Sequence, residues 1–141
     1  MIKTNKLEDF PINIKFKLSA LWAGVTLCYL YCDYFELYVP EKIQGMISGA
    51  NLLNSPTKLF VAGLVLTIPA VMVFLSILLK PTVSKWLNIV VGLIFTAMMV
   101  LIAFTYSEVW YTFYLFYAIL ESLITAFIVW LAWKWPRAVN S

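Results

Sequence analysis

The chain is short of charge. Of its 141 residues only 12% are Asp, Glu, Lys or Arg, while 63% are hydrophobic. A soluble domain of this size carries about 25% charged residues, enough to cover its surface. Here too few are available, and lipid is the solvent that resolves the conflict. Histidine is absent and there are two cysteines. Cys28 and Cys32 lie four residues apart in one apolar run, a poor geometry for a disulfide. With no histidine and no further cysteine, a zinc, haem or iron–sulfur site is not expected, nor any other metal or cofactor. There is no phosphate-binding glycine loop, nucleophile elbow or metal-binding helix motif. The net charge of +3 is small and the basic residues form no run, so nucleic acid is not an expected partner.

What is present is four long apolar runs. They are expected at about 18–39, 59–79, 86–106 and 109–133, each 21 to 25 residues long. About 20 residues span a bilayer core as a helix. Helices are required because every backbone N–H and C=O in lipid needs an internal partner, and four strands could not close a barrel. The expectation is therefore an all-α membrane protein: one domain over 1–141, a single bundle of four transmembrane helices. Met1 to Lys17 is charged and has no apolar core, unlike a cleavable signal.

Basic residues set the orientation. Lys3, Lys6, Lys15, Lys17, Lys80, Lys85, Lys134 and Arg137 fall on one side, against Lys42 and Lys58 on the other. Eight against two predicts an N-in/C-in topology, with the loop 40–58 outside. That loop reads as an ordered cap or a short surface helix. Trp22, Trp86, Trp130, Trp133 and Trp135 gather toward the inner ends, as an interfacial belt does. The eight tyrosines crowd the outer half, more than a belt needs. A multi-pass protein of a bacterial inner membrane is the expected setting, with membrane lipid as its surroundings.

Seven acidic residues exist, and four lie near or inside the apolar runs: Asp33, Glu36, Glu108 and Glu121. A carboxylate at bilayer depth costs several kcal/mol unless paired, hydrated or protonated. Glu121 lies about 18 Å from the inner end of the last span at 1.5 Å per residue. Tyr114, Tyr117 and Thr125 share its helix face. Asp33 sits in the outer third of the first span, with Tyr29 one turn before it. No lysine or arginine lies at that depth in any span. Asp33 and Glu121 must therefore share a proton, accept hydrogen bonds from tyrosine, or hold a cationic ligand between them. Glu36 and Glu108 reach water at the mouth. In the third span Asn88, Gly92, Thr96 and Ala103 lie close to one face, and the second has Gly63, Thr67, Pro69 and Ala70. Small residues let helices approach closely, and Pro69 removes a backbone hydrogen bond and kinks its helix.

Several stretches carry a resemblance: KLSALW at Lys17–Trp22, YLYCD at Tyr29–Asp33, IPAVMVFLS at Ile68–Ser76, and KWLNIVVG at Lys85–Gly92. The run from Tyr114 through Glu121 to IVWLAWKW at Ile128–Trp135 completes it. Together these resemble an uncharacterised family of small bacterial four-helix membrane proteins described as DoxX-like. The resemblance implies the four-helix topology and marks Asp33 and Glu121 as family features, without an activity. The family tends to carry a glutamate just before the Ile-Pro of the second span, where this chain has Thr67. A fold-level likeness to the EXPERA proteins is also seen in Asp33, Pro40 and Pro69. Those proteins bind sterol-like and cationic amphiphilic ligands, but their histidines and tryptophans have no counterpart here.

The leading expectation is a binding module. It would hold a small hydrophobic or amphiphilic molecule, including cationic ones, in a cavity between the helices. Asp33, Glu121, Tyr29, Tyr114, Tyr117, Thr125 and Thr96 are its expected contacts. The alternatives are an acid/base isomerase acting on an apolar substrate, a transporter or channel subunit that works as a homo-oligomer, and a structural partner of another membrane protein.

Overall fold

A computed structural model describes Leu7 and residues 9–137. Lys3 and Lys6, two of the eight basic residues counted on the inner side, lie outside the described residues. The described chain is helical, with no strand among the described residues. Its elements are α1 (Ile14–Glu36), α2 (Lys42–Ser48), α3 (Pro56–Leu78), α4 (Pro81–Thr105) and α5 (Thr112–Trp133), with a 3-10 turn at Val109–Tyr111 before α5.

The helix starts are chemically specified. Asn13 caps α1 by accepting the backbone N–H of Lys15 at 2.9 Å, and Ser55 caps α3 by accepting that of Lys58 at 3.3 Å. These satisfy N–H groups that the first turn leaves without a partner. Pro56 and Pro81 occupy first-turn positions, where a missing N–H costs nothing. The connection from α3 to α4 is consequently Leu79 and Lys80 alone, shorter than the six residues expected, and α4 starts at Pro81 rather than near Trp86. At the other end α1 stops at Glu36, before the expected Val39. A turn through Pro40 and Glu41, which takes a left-handed φ of 63°, leads into α2, and Gly49 at φ 76° ends it.

Three segments are long and apolar enough to cross a membrane: Pro56–Leu78, Pro81–Thr105 and Val109–Trp133. α1 has 23 residues and matches them in length. Its lysines, Asp33, Glu36 and tyrosines make it less apolar. Outward faces of the long helices carry large apolar side chains, among them Leu101, Phe104 and Leu123, all well over half exposed. Such surfaces suit lipid and not water.

Helix packing is uneven. α5 lies tightly against α4 and also against α1, and α1 packs on α3, while α3 and α4 touch only lightly. Gly92 makes the α4–α5 approach close: a Cβ there would stand 2.7 Å from Cγ2 of Val129. The bundle is thus a ring whose α3–α4 seam is its weakest join.

The core near the chain termini is polar at its centre. Trp22 of α1 donates its indole N–H to Oδ1 of Asn88 on α4 at 2.7 Å, and Ser76 of α3 donates to the same oxygen at 3.2 Å. Asn88 donates to the backbone carbonyl of Ser84 at 2.8 Å, and the Ser84 hydroxyl donates to the carbonyl of Ser76 at 3.0 Å. All four side chains are fully buried. Trp22 therefore leaves the interfacial belt expected for it: its apolar ring fills the core, and its one donor finds Asn88. Nearby, the Lys15 ammonium donates to the carbonyls of Ile77 at 3.0 Å and Leu79 at 2.5 Å, closing the C-terminal end of α3.

Candidate functional site

Glu121 is the residue least at ease in this fold. It faces inward from the middle of α5, flanked along the helix by the buried Ala118 and Thr125. The residue is 2% exposed. Its Oε1 is buried with no hydrogen-bond partner among the described residues. The phenol oxygen of Tyr29, one helix over on α1, is buried and unpartnered in the same way. Leaving one such atom without a partner costs about 1–3 kcal/mol, and more when it is charged. Two of them lie on one cavity.

That cavity has a volume of about 290 Å³. It occupies the half of the bundle nearer α2. Tyr29, Cys32 and Asp33 of α1 line one side and Tyr114 and Glu121 of α5 another. Ala62, Val65 and Leu66 of α3 and Met98, Met99 and Ile102 of α4 supply the apolar remainder. Asp33 is exposed and stands at the rim, so the two acids differ in setting: one deep, one at the edge. No lysine or arginine lines the space among the described residues. No group of three or more His, Cys, Asp or Glu among the described residues could hold a metal ion.

Aromatic rings pack behind two of the lining residues, Tyr29 and Tyr114. The ring of Phe95 packs 6.0 Å from that of Tyr29 and 6.2 Å, edge-on, from that of Trp22. Phe95 thus touches both Tyr29, a lining residue, and Trp22 of the Trp22–Asn88 network. At the opposite end Tyr106 lies 4.6 Å from the ring of Tyr114 and 4.9 Å from that of Tyr111. Close by, Glu36 at the end of α1 forms an ion pair with Lys42 of α2, which ties the short helix down.

Of the seven residues expected at a ligand site, Tyr29, Asp33, Tyr114 and Glu121 meet at the cavity. Thr96 and Thr125 do not line it. Thr96 donates to the Thr125 hydroxyl across the α4–α5 contact at 2.8 Å, and Thr125 donates in turn to the carbonyl of Glu121 at 2.9 Å. Tyr117 is half-buried, packed against Phe116, and off the cavity wall. Cys32, Ala62, Val65, Leu66 and Ile102 line it without having been singled out from the sequence. Only Cys32 carried a signal, one position before Asp33 and one turn from Tyr29.

Thr67, where a glutamate was expected by resemblance, faces outward, and its hydroxyl bonds back to the Gly63 carbonyl at 2.8 Å. Pro69 is buried on the inner face of α3. It carries no N–H for the carbonyl of Val65 one turn earlier, and Val65 is a cavity residue.

The chain matches a family described as Family of unknown function (DUF6326) over residues 5–140. No curated protein matches it, and no solved structure does.

Proposed function

The chain belongs to this family of unknown function, and we propose that it is a multi-pass membrane protein that binds a small hydrophobic or amphiphilic molecule in the cavity around Glu121. The observation that carries this reading is the buried Oε1 of Glu121, without a partner on an otherwise apolar cavity. A folded core rarely leaves a buried polar atom unsatisfied without a functional reason. A ligand with a donor or a positive group would satisfy it, and Tyr29 and Asp33 would share the task. The wall of aliphatic side chains supplies contact area, as in most small-molecule sites.

In this reading α1 joins α3, α4 and α5 as a fourth span. Length supports that, together with its packing between α3 and α5. Both termini face the cytoplasm of a bacterial cell, which places Lys15, Lys80, Lys85 and Lys134 at the inner surface. Lys134 lies 4.5 Å over the Trp130 ring, an arrangement suited to the headgroup region.

The pair of acids on one apolar cavity also suits proton transfer to and from an apolar substrate, as in a double-bond isomerisation. The buried rings of Phe95 and Trp22, packed beyond Tyr29, favour a dead-ended cavity over a transport path.

The test is thermal unfolding of the purified chain in detergent against panels of lipids, sterols and amphiphilic amines, repeated on Asp33→Asn and Glu121→Gln. Binding predicts a raised midpoint for one class in the wild type and a reduced shift in both variants. If no compound moves the wild type, the binding reading is wrong. Turnover of a bound compound that Glu121→Gln abolishes while keeping the midpoint shift would favour the enzyme.

A further inference from the structure

Three features of the cavity together say how it is reached and by what. The first is its size. At about 290 Å³ it lies at or below the small end of ordinary ligand sites. It can take a polar head and a few carbons, and not a whole membrane amphiphile. The second is the wall. Leu66 and Val65 on one side and Met98 and Ile102 on the other belong to α3 and α4, the two neighbours that touch only lightly. Both helices are apolar enough to lie in lipid. Beside the cavity their outward side chains, such as Leu64, Leu101 and Phe104, are exposed. The third is charge: two carboxylates and no cation.

We propose that the cavity is loaded sideways from the bilayer, through the seam between α3 and α4, by a single-chain amphiphile whose protonated amine seats between Glu121 and Asp33. The tail then stays in the seam, in contact with lipid. This rests on the binding reading and adds ligand class and route to it. An ammonium group fits because it brings donors and a positive charge to a buried, unpartnered carboxyl oxygen, and charge-assisted hydrogen bonds are the stronger kind. The tail fits because the seam offers an apolar lining continuous with the membrane. Tight α4–α5 packing, closest at Gly92, disfavours entry through the neighbouring join.

The experiment uses the full chain in lipid nanodiscs with three probes: dodecylamine, dodecanol and butylamine. Dodecylamine should raise the unfolding midpoint at the lowest mole fraction. Dodecanol lacks the charge and butylamine the tail, and each should bind about tenfold or more weakly. A dodecylamine carrying a diazirine along its tail is then photolysed in the nanodisc and the labelled peptides are identified. Labels should fall on α3 and α4, around Leu66 and Ile102. Labels confined to the loop 40–58 would mean entry from water at the outer mouth. Labels on the α1–α5 side would also overturn the route.

Leu66→Trp, which fills the seam, should weaken dodecylamine by about tenfold or more, while Leu101→Trp on the outward face of α4 should not. If Leu66→Trp does not fold, the photolabelling on the wild type decides alone. Equal binding of dodecanol and dodecylamine would sink the amine while leaving the binding reading intact. Failure of every amphiphile to bind would sink both. A stable dimer that buries the seam against a second copy would show another occupant and overturn the proposal.

Discussion

Trp22 and Asn88 are joined across the bundle by a 2.7 Å hydrogen bond, both side chains fully out of solvent. This contact joins α1 to α4 beside the packing of Phe95 on Trp22 and Tyr29. Asn88 accepts from Trp22 and from Ser76 at one oxygen and donates to Ser84 through its amide nitrogen. Asn88→Leu removes both functions and leaves an indole N–H without an acceptor. The expected cost is about 1–3 kcal/mol, toward the lower end in lipid, where unfolded helices also find partners. Reversible unfolding in mixed micelles measures it. Trp22→Phe on the Asn88→Leu background should then add less than it costs alone, because the orphaned donor has gone.

The α4–α5 contact gives a sharper steric test. Gly92→Ala places a methyl 2.7 Å from the Val129 side chain, with the Thr125 carbonyl at 3.4 Å behind it. Overpacking of this kind costs about 1–3 kcal/mol. Val129→Ala on the same chain should recover most of the loss, and the recovery separates a clash from a change in helix propensity. No recovery would mean that the clash lies with the backbone.

Much of this architecture is legible in the sequence, and the residues that are not legible share a cause. The long helices follow from apolar runs that local chemistry cannot disguise. Their ends shift where proline dictates, as at Pro81, which begins α4 earlier than hydropathy implies. Glu121 stands out from sequence because a carboxylate in an apolar helix demands explanation wherever it points. Trp22 misleads because its environment is set by Asn88, 66 positions away. Thr96 and Thr125 mislead differently: each has the right spacing for the polar stripe, but they satisfy one another across a helix contact. Ala62, Val65 and Leu66 are ordinary apolar residues, and only the loose α3–α4 seam makes a cavity wall of them.

The ion pair between Glu36 and Lys42 should govern the ordering of α2. Partial burial pulls the Lys42 ammonium down, but the hydrogen bond and charge of Glu36 outweigh it, so its pKa lies above the ordinary lysine value. A raised lysine pKa stabilises the folded form fully below the unfolded value, about 10.4. That stabilisation fades only as pH rises through the folded value. Hydrogen exchange of α2 amides should therefore show no loss of protection from this pair between neutral pH and about pH 10, and a loss above it. Lys42→Met should produce the loss at neutral pH. Protection that is unchanged in the variant would show that α2 is held by its apolar contacts alone.

Lys15 offers a separate test at the opposite end. Its ammonium reaches two carbonyls at the close of α3, where the helix dipole is negative. Lys15→Met should cost about 0.3–1 kcal/mol and Lys15→Arg less, since the charge is kept. Exchange of the amides around Ile77 and Leu79 should rise in the first and stay closer to wild type in the second.

The account depends on Glu121 being held in the fold for a ligand and not for its own contacts. Glu121→Met keeps the length of the side chain and removes both oxygens. Unfolding of the ligand-free chain, wild type beside Glu121→Met, reads the difference directly. An unsatisfied acid predicts a variant more stable by about 1–3 kcal/mol, with no further gain from any amphiphile that stabilises the wild type. A variant less stable than wild type would show that the carboxyl is already used inside the bundle, and the cavity would lose its claim to a ligand.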